Sequence, residues 1–283
     1  MVSVTGNLSY LMEIVIRLIC ILVGLFLVGW LGLQIKPKSF PLFQHRTPAM
    51  QTVLLPAGLP APVERFYRQI YGDQVPLITT AVITGRATMR PVLKGPTFQG
   101  RFRFTHLAGV DYRHYFEMCF FGLPLIKGNE HYLDGKSRLE LPFGMTDEGP
   151  KVDQAANLGL WAESMWLPAI LLTDPRVHWQ PIDSDTAVLV VPFGEEQQRF
   201  IARFDPQTGL LHRLESMRYQ KSTSEQKILW LNENLDYRTI NGYTFGAVGS
   251  ATWINEGAPW AVFTVEDIVY NVDVSEYVRA KGP

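Results

Sequence analysis

Residues 100–120 read GRFRFTHLAGVDYRHYFEMCF, and their side chains alternate in character with a period of two residues. A strand points successive side chains to opposite faces, so Phe102 and Phe104 share one face while Arg101 and Arg103 share the other. The next run has a face of its own, made of Tyr112, His114, Phe116, Met118 and Phe120. This alternation predicts neighbouring strands of a sheet with one apolar face.

The same period continues from about Leu77 to Val272, in short runs separated by turn signals. Asp134-Gly135 and Asn241-Gly242 predict two-residue hairpins, because Asn, Asp and Gly tolerate the positive φ of tight turns. The segment Asp205–Gly209 predicts a longer turn of the same kind. Counting the runs gives roughly ten strands. Hairpin connections make them mostly antiparallel, so the sequence predicts a mainly β (α+β) fold.

One segment interrupts the strands. After Gly149-Pro150, Asp153 is expected to cap a helix over about residues 151–167. The surface of this helix is apolar nearly all round and includes Trp161, Met165 and Trp166, so it must be covered on more than one side. We therefore expect a curved antiparallel sheet, an open half-barrel, around this central helix.

The N-terminus is expected to be an uncleaved transmembrane helix. Residues 18–35 read LICILVGLFLVGWLGLQI, which spans roughly 27 Å at 1.5 Å per residue. Lys36-Pro37-Lys38 follows, where a signal peptide would have a cleavage site of small residues. The predicted organisation is a single-pass anchor at 1–35, a Pro-containing tether at 36–59 and one half-barrel domain at 60–283. The bacterial cytoplasmic membrane is the expected location, and flanking basic residues leave the side of the main domain open.

Composition and motifs remove several classes of function. With 26 Lys and Arg against 27 Asp and Glu in 283 residues, the chain is not a basic nucleic-acid binder. Cys20 and Cys119 are the only cysteines, which excludes a disulfide scaffold and an iron–sulfur cluster. Nucleophile-elbow, dinucleotide and phosphate-loop motifs are absent. No metal or cofactor is predicted, because six histidines are scattered without an i, i+4 pair. These are His45, His106, His114, His131, His178 and His212.

The central helix also carries a family resemblance. Leu160–Leu172, Val177–Asp183 and Leu59–Arg68, with Phe204-Asp205 and Gly209, resemble a widespread family of uncharacterised bacterial proteins over about residues 58–272. The resemblance implies an architecture similar to the lipoprotein-carrier fold, an open antiparallel half-barrel around helices. It supplies no catalytic residues, and a fold alone does not fix function.

Two sets of charged residues are candidates for a site. Glu163 lies in an apolar helix, where burial would raise its pKa and suit it to acid–base chemistry. The alternative places Glu163 at the helix edge, hydrogen-bonded or hydrated. Arginines from neighbouring predicted strands could form an anion-binding ladder, and the alternative is a solvated sheet face. These arginines are Arg86, Arg90, Arg101 and Arg103.

These features favour a membrane-tethered binding module for an apolar or amphipathic, lipid-like ligand held between the concave sheet and the helix. The predicted ligand-binding residues are Trp161, Met165, Trp166, Phe102, Phe104, Phe116, Arg101 and Arg103. The first alternative is a hydrolase or isomerase that uses Glu163 or Asp183 with a nearby histidine. The second is a purely structural envelope domain. The expected partners are the membrane and a lipid or other apolar small molecule, with no nucleic acid.

Overall fold

A computed structural model describes residues 4–43, 47–91 and 94–282 of the chain. Its helices are α1 Val4–Gln34, α2 Ala61–Tyr71, α3 Pro150–Ala162 and α4 Ile170–Thr173, with a 3₁₀ turn at Glu163–Trp166 directly after α3. The first eight strands are β1 Thr52–Leu54, β2 Gln74–Pro76, β3 Thr80–Met89, β4 Phe98–Leu107, β5 Asp111–Phe120, β6 Leu123–Leu133, β7 Lys136–Glu140 and β8 Thr146–Glu148. The others are β9 His178–Pro181, β10 Thr186–Phe193, β11 Glu196–Phe204, β12 Leu211–Arg218, β13 Ile228–Ile240, β14 Tyr243–Trp253 and β15 Ala261–Tyr270.

Thirteen strands form one antiparallel sheet in the order β8-β7-β6-β5-β4-β3-β15-β14-β13-β12-β11-β10-β9, and β1 pairs with β2 apart from it. Every neighbouring pair in the large sheet follows directly in the chain except β3 and β15. The chain therefore runs outward from β3 to one edge, crosses to the other edge through residues 149–177, and returns until β15 pairs with β3. This open curved sheet confirms the predicted fold class.

The strand count exceeds the roughly ten expected from alternation. Strands β8 and β9 have only three and four residues, too few to display a period of two. The predicted tight turns are present, with positive φ at Asp134 (51°) and Asn241 (53°) and at the glycine after each. The turn residues therefore predicted hairpins more accurately than the alternating runs predicted the number of strands.

The crossing segment packs on one face of the sheet, here called the inner face, and contacts strands of both halves. Trp161 is fully buried and Trp166 is 5 % exposed, so the apolar surface of the segment is covered as expected. Helix α3 ends at Ala162, and the 3₁₀ turn continues the predicted helix to Trp166, two residues before Pro168.

The expected N-cap role of Asp153 is wrong. Gly149 precedes the helix with φ 115°, and Pro150 occupies its first turn. The buried Asp153 carboxylate instead accepts a hydrogen bond from the backbone N–H of Ser137 (2.7 Å) and pairs with Lys136 (3.0 Å). It therefore joins α3 to strand β7, which is a tertiary role that the local sequence could not indicate.

Residues 37–43 have no regular secondary structure, and part of this segment packs on the opposite, outer face of the sheet. Phe40 is 4 % exposed and lies under the guanidinium of Arg101, 4.2 Å from the ring centre. The carbonyl of Lys38 accepts a hydrogen bond from Arg101 (2.9 Å), and the carbonyl of Pro41 accepts one from Arg103. The first part of the predicted tether is thus in contact with the sheet.

Helix α1 contains a segment, Tyr10–Gln34, that is long and apolar enough to cross a membrane. Its C-terminal end touches the turn between β5 and β6, where the backbone N–H of Phe121 donates to the carbonyl of Gly32 (2.8 Å). A Cβ on Gly32 would approach the Phe121 ring to 2.6 Å, so a larger residue would force that ring to move. The helix end is therefore attached to the sheet by more than the connecting chain.

Candidate functional site

A cavity of about 110 Å³ lies between the crossing segment and the inner face of the sheet. Its apolar walls include Met89, Phe104, Phe116, Met165, Trp166, Trp260 and Phe263. Its polar walls include Tyr112, His114, Glu130, Glu163, Arg218, Asn232 and Ser250. An apolar lining with a few convergent polar groups is the usual composition of a small-molecule site.

Glu163 lies at the centre of the polar part. It is the first residue after α3, and the end of the helix places it opposite the inner face of β4 and β5. Its Oε2 atom lies 2.7 Å from Nε2 of His114 on β5 and 3.0 Å from Nε2 of His106 on β4. One carboxylate oxygen therefore faces two imidazole rings from neighbouring strands.

The pKa values of the pair follow from this arrangement. Burial alone would lower the pKa of His114, but the charges of Glu163 and Glu130 outweigh burial and raise it to about 9. Burial alone would raise the pKa of Glu163, but the two imidazoles lower it to about 2. The sequence-based expectation of a raised Glu163 pKa is thus reversed, because the partners come from distant strands. Near neutral pH the pair is an imidazolium and a carboxylate.

His106 differs from His114. It is fully buried, and burial lowers its pKa, so its imidazole is neutral near pH 7. Its Nε2 lies 3.0 Å from Oε2 of Glu163 and interacts with that carboxylate. Within the described part of the chain, its Nδ1 has no hydrogen-bond partner. Buried polar atoms of native proteins are rarely left in this state.

A second carboxylate supports the cluster from behind His114. The hydroxyl of Tyr112 donates to Oε1 of Glu130 (2.6 Å), and Oε2 of Glu130 lies 3.6 Å from Nδ1 of His114. The pKa of Glu130 is lowered, because His114 and Tyr112 together outweigh its burial. Arg218 also lines the cavity, and its guanidinium lies 4.1 Å from the ring centre of Trp230. The cavity lining therefore carries three carboxylates, those of Glu130, Glu163 and Glu233, with the cations of His114 and Arg218.

Four of the predicted ligand-binding residues line the cavity, namely Phe104, Phe116, Met165 and Trp166. Phe102 and Trp161 are fully buried and pack in the core. Phe102 stacks on Trp166 with ring centres 6.0 Å apart. The alternation thus predicted correctly which side chains of β4 and β5 face inward. Of these, Phe104 and Phe116 line the cavity, whereas Phe102 packs in the core.

Arg101 and Arg103 do not line this cavity. Strand alternation places them on the outer face, where Arg101 pairs with Glu117 (2.6 Å) and Arg103 reaches the hydroxyl of Tyr277 (3.1 Å). Arg86 lies beside Arg101 in the register and pairs with Glu266. Arg101 and Arg103 therefore bind backbone carbonyls of the N-terminal segment, and Arg103 also reaches Tyr277 near the C-terminus. Arg101 and Arg86 each pair with a carboxylate.

The remaining candidates lie elsewhere. Arg90 bonds Glu256 and the carbonyl of Ala258. Asp183 is in an exposed turn, where its carboxylate accepts from the backbone N–H of Asp185 (2.9 Å). His45 lies outside the described residues. Of the two carboxylates proposed for catalysis, only Glu163 lines the cavity.

The sequence contained a signal for the histidine cluster that spacing along a helix could not reveal. His106 shares the parity of Phe104 on β4, and His114 shares the parity of Phe116 on β5, so both point to the inner face. The turn between the strands pairs Phe104 with His114 and His106 with Tyr112. The two histidines are therefore diagonal neighbours, which the register predicts and an i, i+4 search misses.

The fold and cavity define an open antiparallel half-barrel with a partly polar internal site. The chain belongs to the Family of unknown function (DUF6544), whose model matches residues 49–265. This confirms the resemblance inferred from the crossing segment. No curated protein shows significant similarity to the chain.

Two solved structures share parts of this architecture. A LolA superfamily protein from Nitrosomonas europaea is 10 % identical, with a TM-score of 0.48 over 79 % of this chain and 99 % of that one. A DUF1329 family protein from Desulfovibrio piger is 13 % identical, with a TM-score of 0.41 over 70 % of this chain and 88 % of that one. At these values, function has to be argued from the residues of this chain.

Proposed function

We propose that the protein is a membrane-anchored binding module for a small amphipathic molecule with one apolar chain. The observation that carries this proposal is the cavity, whose aromatic walls are joined to a polar end with Glu163, His114 and Arg218. The aromatic walls would take the apolar part of the ligand. The charged end would take its headgroup.

The size of the cavity restricts the ligand. A volume of about 110 Å³ is of the order of the engineered cavities that hold one benzene molecule. It admits part of one acyl chain, and the two chains of a phospholipid exceed it. The predicted lipid-like ligand is therefore narrowed to a single-chain amphiphile.

The energetics require both ends of the site. Burying four methylene groups stabilises a complex by about 3 kcal/mol. Micromolar affinity corresponds to about 8 kcal/mol, so the headgroup contacts must supply much of the difference. The charged groups of Glu163, His114, Glu130 and Arg218 offer such contacts to a polar headgroup. A purely apolar ligand would bind more weakly than an amphiphile with the same chain.

The direction of the ligand follows from the position of the anchor. Phe116 and His114 precede Phe120 by about 14 Å and 20 Å of strand β5, and Phe121 touches the end of α1. Met89 is at the level of the anchor contact, because β4 pairs Phe98 with it and Gln99 with Cys119. We infer that the chain of the ligand points toward the membrane and its headgroup inward.

The binding function is favoured over the enzyme alternative by the charge states at the site. With the pKa of Glu163 near 2 and that of His114 near 9, the paired groups are both ionised at pH 7. With His114 protonated and Glu163 ionised, neither group of the ion pair is in the state that suits a general base. The pair as it stands suits electrostatic recognition.

Membrane anchoring by an uncleaved α1 is part of the proposal, and intact-mass measurement tests it. Protein extracted from bacterial membranes is expected to retain residues 10–34, because the helix end makes a specific contact at Gly32 with the turn after β5. A domain fragment beginning at residue 36, expressed alone, serves as the soluble control. A mature chain that begins after Lys38 would contradict the anchor.

Ligand uptake tests the binding function. The chain from residue 36 to 283, which keeps the packed segment around Phe40, is incubated with fatty acid or lysophospholipid and analysed by native mass spectrometry. We expect one bound molecule per chain and at least a tenfold loss of uptake in Ala251→Phe, because Ala251 lines the cavity. Ala57→Phe, at an exposed position, is the matched control. Folded protein that takes up neither amphiphile would refute the proposal.

A further inference from the structure

His106, His114 and Glu163 together offer two imidazole nitrogens and one carboxylate oxygen, all within 4.8 Å of one another. We propose that these three side chains bind one divalent transition-metal ion, which displaces to solvent the proton that His114 otherwise carries. The site goes beyond the binding of an amphiphile and does not depend on it. Its argument rests on the donor atoms, on the buried His106 and on the groups behind His114.

The spacing of the donor atoms fits a metal centre. Bonds of about 2.1 Å place neighbouring ligand atoms roughly 3.0 to 3.4 Å apart in octahedral or tetrahedral geometry. The Glu163 oxygen lies 2.7 and 3.0 Å from the two Nε2 atoms. All three donor atoms lie within 4.8 Å of one another, so modest side-chain movements would let them share one ion.

His106 supplies the independent observation. It is fully buried, its Nδ1 has no hydrogen-bond partner within the described residues, and Glu163 is the one group that its Nε2 faces there. A buried imidazole with so few partners is destabilising, so a ligand ion would supply an interaction that it lacks. An ion at the cluster would satisfy Nε2, which already faces the carboxylate.

The groups behind His114 resemble the outer layer of a metal site. Glu130 faces Nδ1 of His114 at 3.6 Å and is itself fixed by the Tyr112 hydroxyl at 2.6 Å. Metal-binding histidines usually direct their other ring nitrogen toward a carboxylate, which orients the ring and makes it a better donor. The ring of His114 also stacks on Tyr112, with centres 3.9 Å apart, and is held in place.

The donor types select the class of ion. Two imidazoles with one carboxylate suit Zn²⁺ or Fe²⁺, whereas Mg²⁺ and Ca²⁺ prefer oxygen donors. Three protein ligands leave at least one coordination position free. His114 and Glu163 line the cavity, so the free position would face it. Water or an oxygen atom of a cavity ligand could occupy that position.

The test uses the full-length, tag-free chain in detergent, stripped with a chelator and then titrated. Zn²⁺ binding is measured by calorimetry, and Co²⁺ binding is followed by its visible absorption, which reports the coordination geometry. We expect one ion per chain and at least a hundredfold weaker binding in His106→Gln, His114→Gln and Glu163→Gln. His212→Gln, at a half-exposed position on β12, is the matched control and should bind as the unmodified chain.

A milder variant guards against effects of misfolding. Tyr112→Phe keeps all three donors but releases Glu130, and it should weaken binding about tenfold while circular dichroism stays unchanged. Folded protein that binds no stoichiometric ion overturns the proposal, as does binding that survives Glu163→Gln and His106→Gln. Fatty-acid uptake by the chain from residue 36 to 283, without detergent, reports on the proposed binding function separately, so either proposal can fail alone.

Discussion

Replacing Trp166 with alanine is expected to lower the free energy of unfolding by about 3–5 kcal/mol. The indole is 5 % exposed and packs between Phe102, Phe104 and Phe263, with each ring centre 6.0 Å away. Its removal would abolish these ring contacts and enlarge the cavity that Trp166 lines. Urea unfolding of the 36–283 chain, followed by circular dichroism, measures the change.

Phe143→Ala is the control for that measurement. Its ring is 99 % exposed, and removing it should alter stability by less than about 0.5 kcal/mol. A loss below roughly 1 kcal/mol for Trp166→Ala would be incompatible with a buried 3₁₀ turn. The arrangement of the crossing segment on the inner face would then have to be revised.

The second large effect is a dependence of stability on pH that comes from His114. Its folded pKa of about 9 exceeds the unfolded value of about 6.5, so its stabilisation is complete below pH 6.5 and is lost as pH rises through 9. A shift of this size corresponds to about 3 kcal/mol. Glu163 acts at the acid end, where its contribution is complete above pH 4.3 and lost as pH falls through about 2.

Urea unfolding with a chelator present, compared at pH 6 and at pH 9.5, measures this effect. The unmodified chain should lose about 3 kcal/mol between the two values, and His114→Gln should remove most of that loss. Both limbs come from one ion pair, so their energies are not added. His212→Gln should keep the loss unchanged. If His114→Gln keeps it as well, the ion pair does not stabilise the fold.

Local sequence patterns were sufficient to predict the fold class. The alternation in residues 100–120 identified the inner face, and Asp134-Gly135 and Asn241-Gly242 marked hairpins that the structure contains. The apolar surface around Trp161 predicted that the helix is covered on more than one side. In the structure, strands from both halves of the curved sheet contact the crossing segment. These inferences succeeded because each depends on residues close together in the chain.

The site depended on contacts between distant residues. Glu163 and His114 are separated by 49 positions, and their meeting reversed the expected direction of the Glu163 pKa. Arg101 and Arg103 suggested an anion site, but Glu117 and backbone carbonyls of residues 38 and 41 occupy them. Side-chain type indicated possible partners in both cases. The register between strands and the course of the N-terminal segment decided which partners were real.

If α1 is the membrane anchor proposed above, the contact between Gly32 and Phe121 limits the distance between the domain and the bilayer. Phe40 is packed on the sheet, so five residues, 35–39, separate the end of α1 at Gln34 from the body of the domain. Fully extended, they reach no more than about 18 Å. The length of the chain that follows Phe40 does not change this distance. A domain anchored in this way would meet its proposed ligand at one height above the membrane and in one orientation.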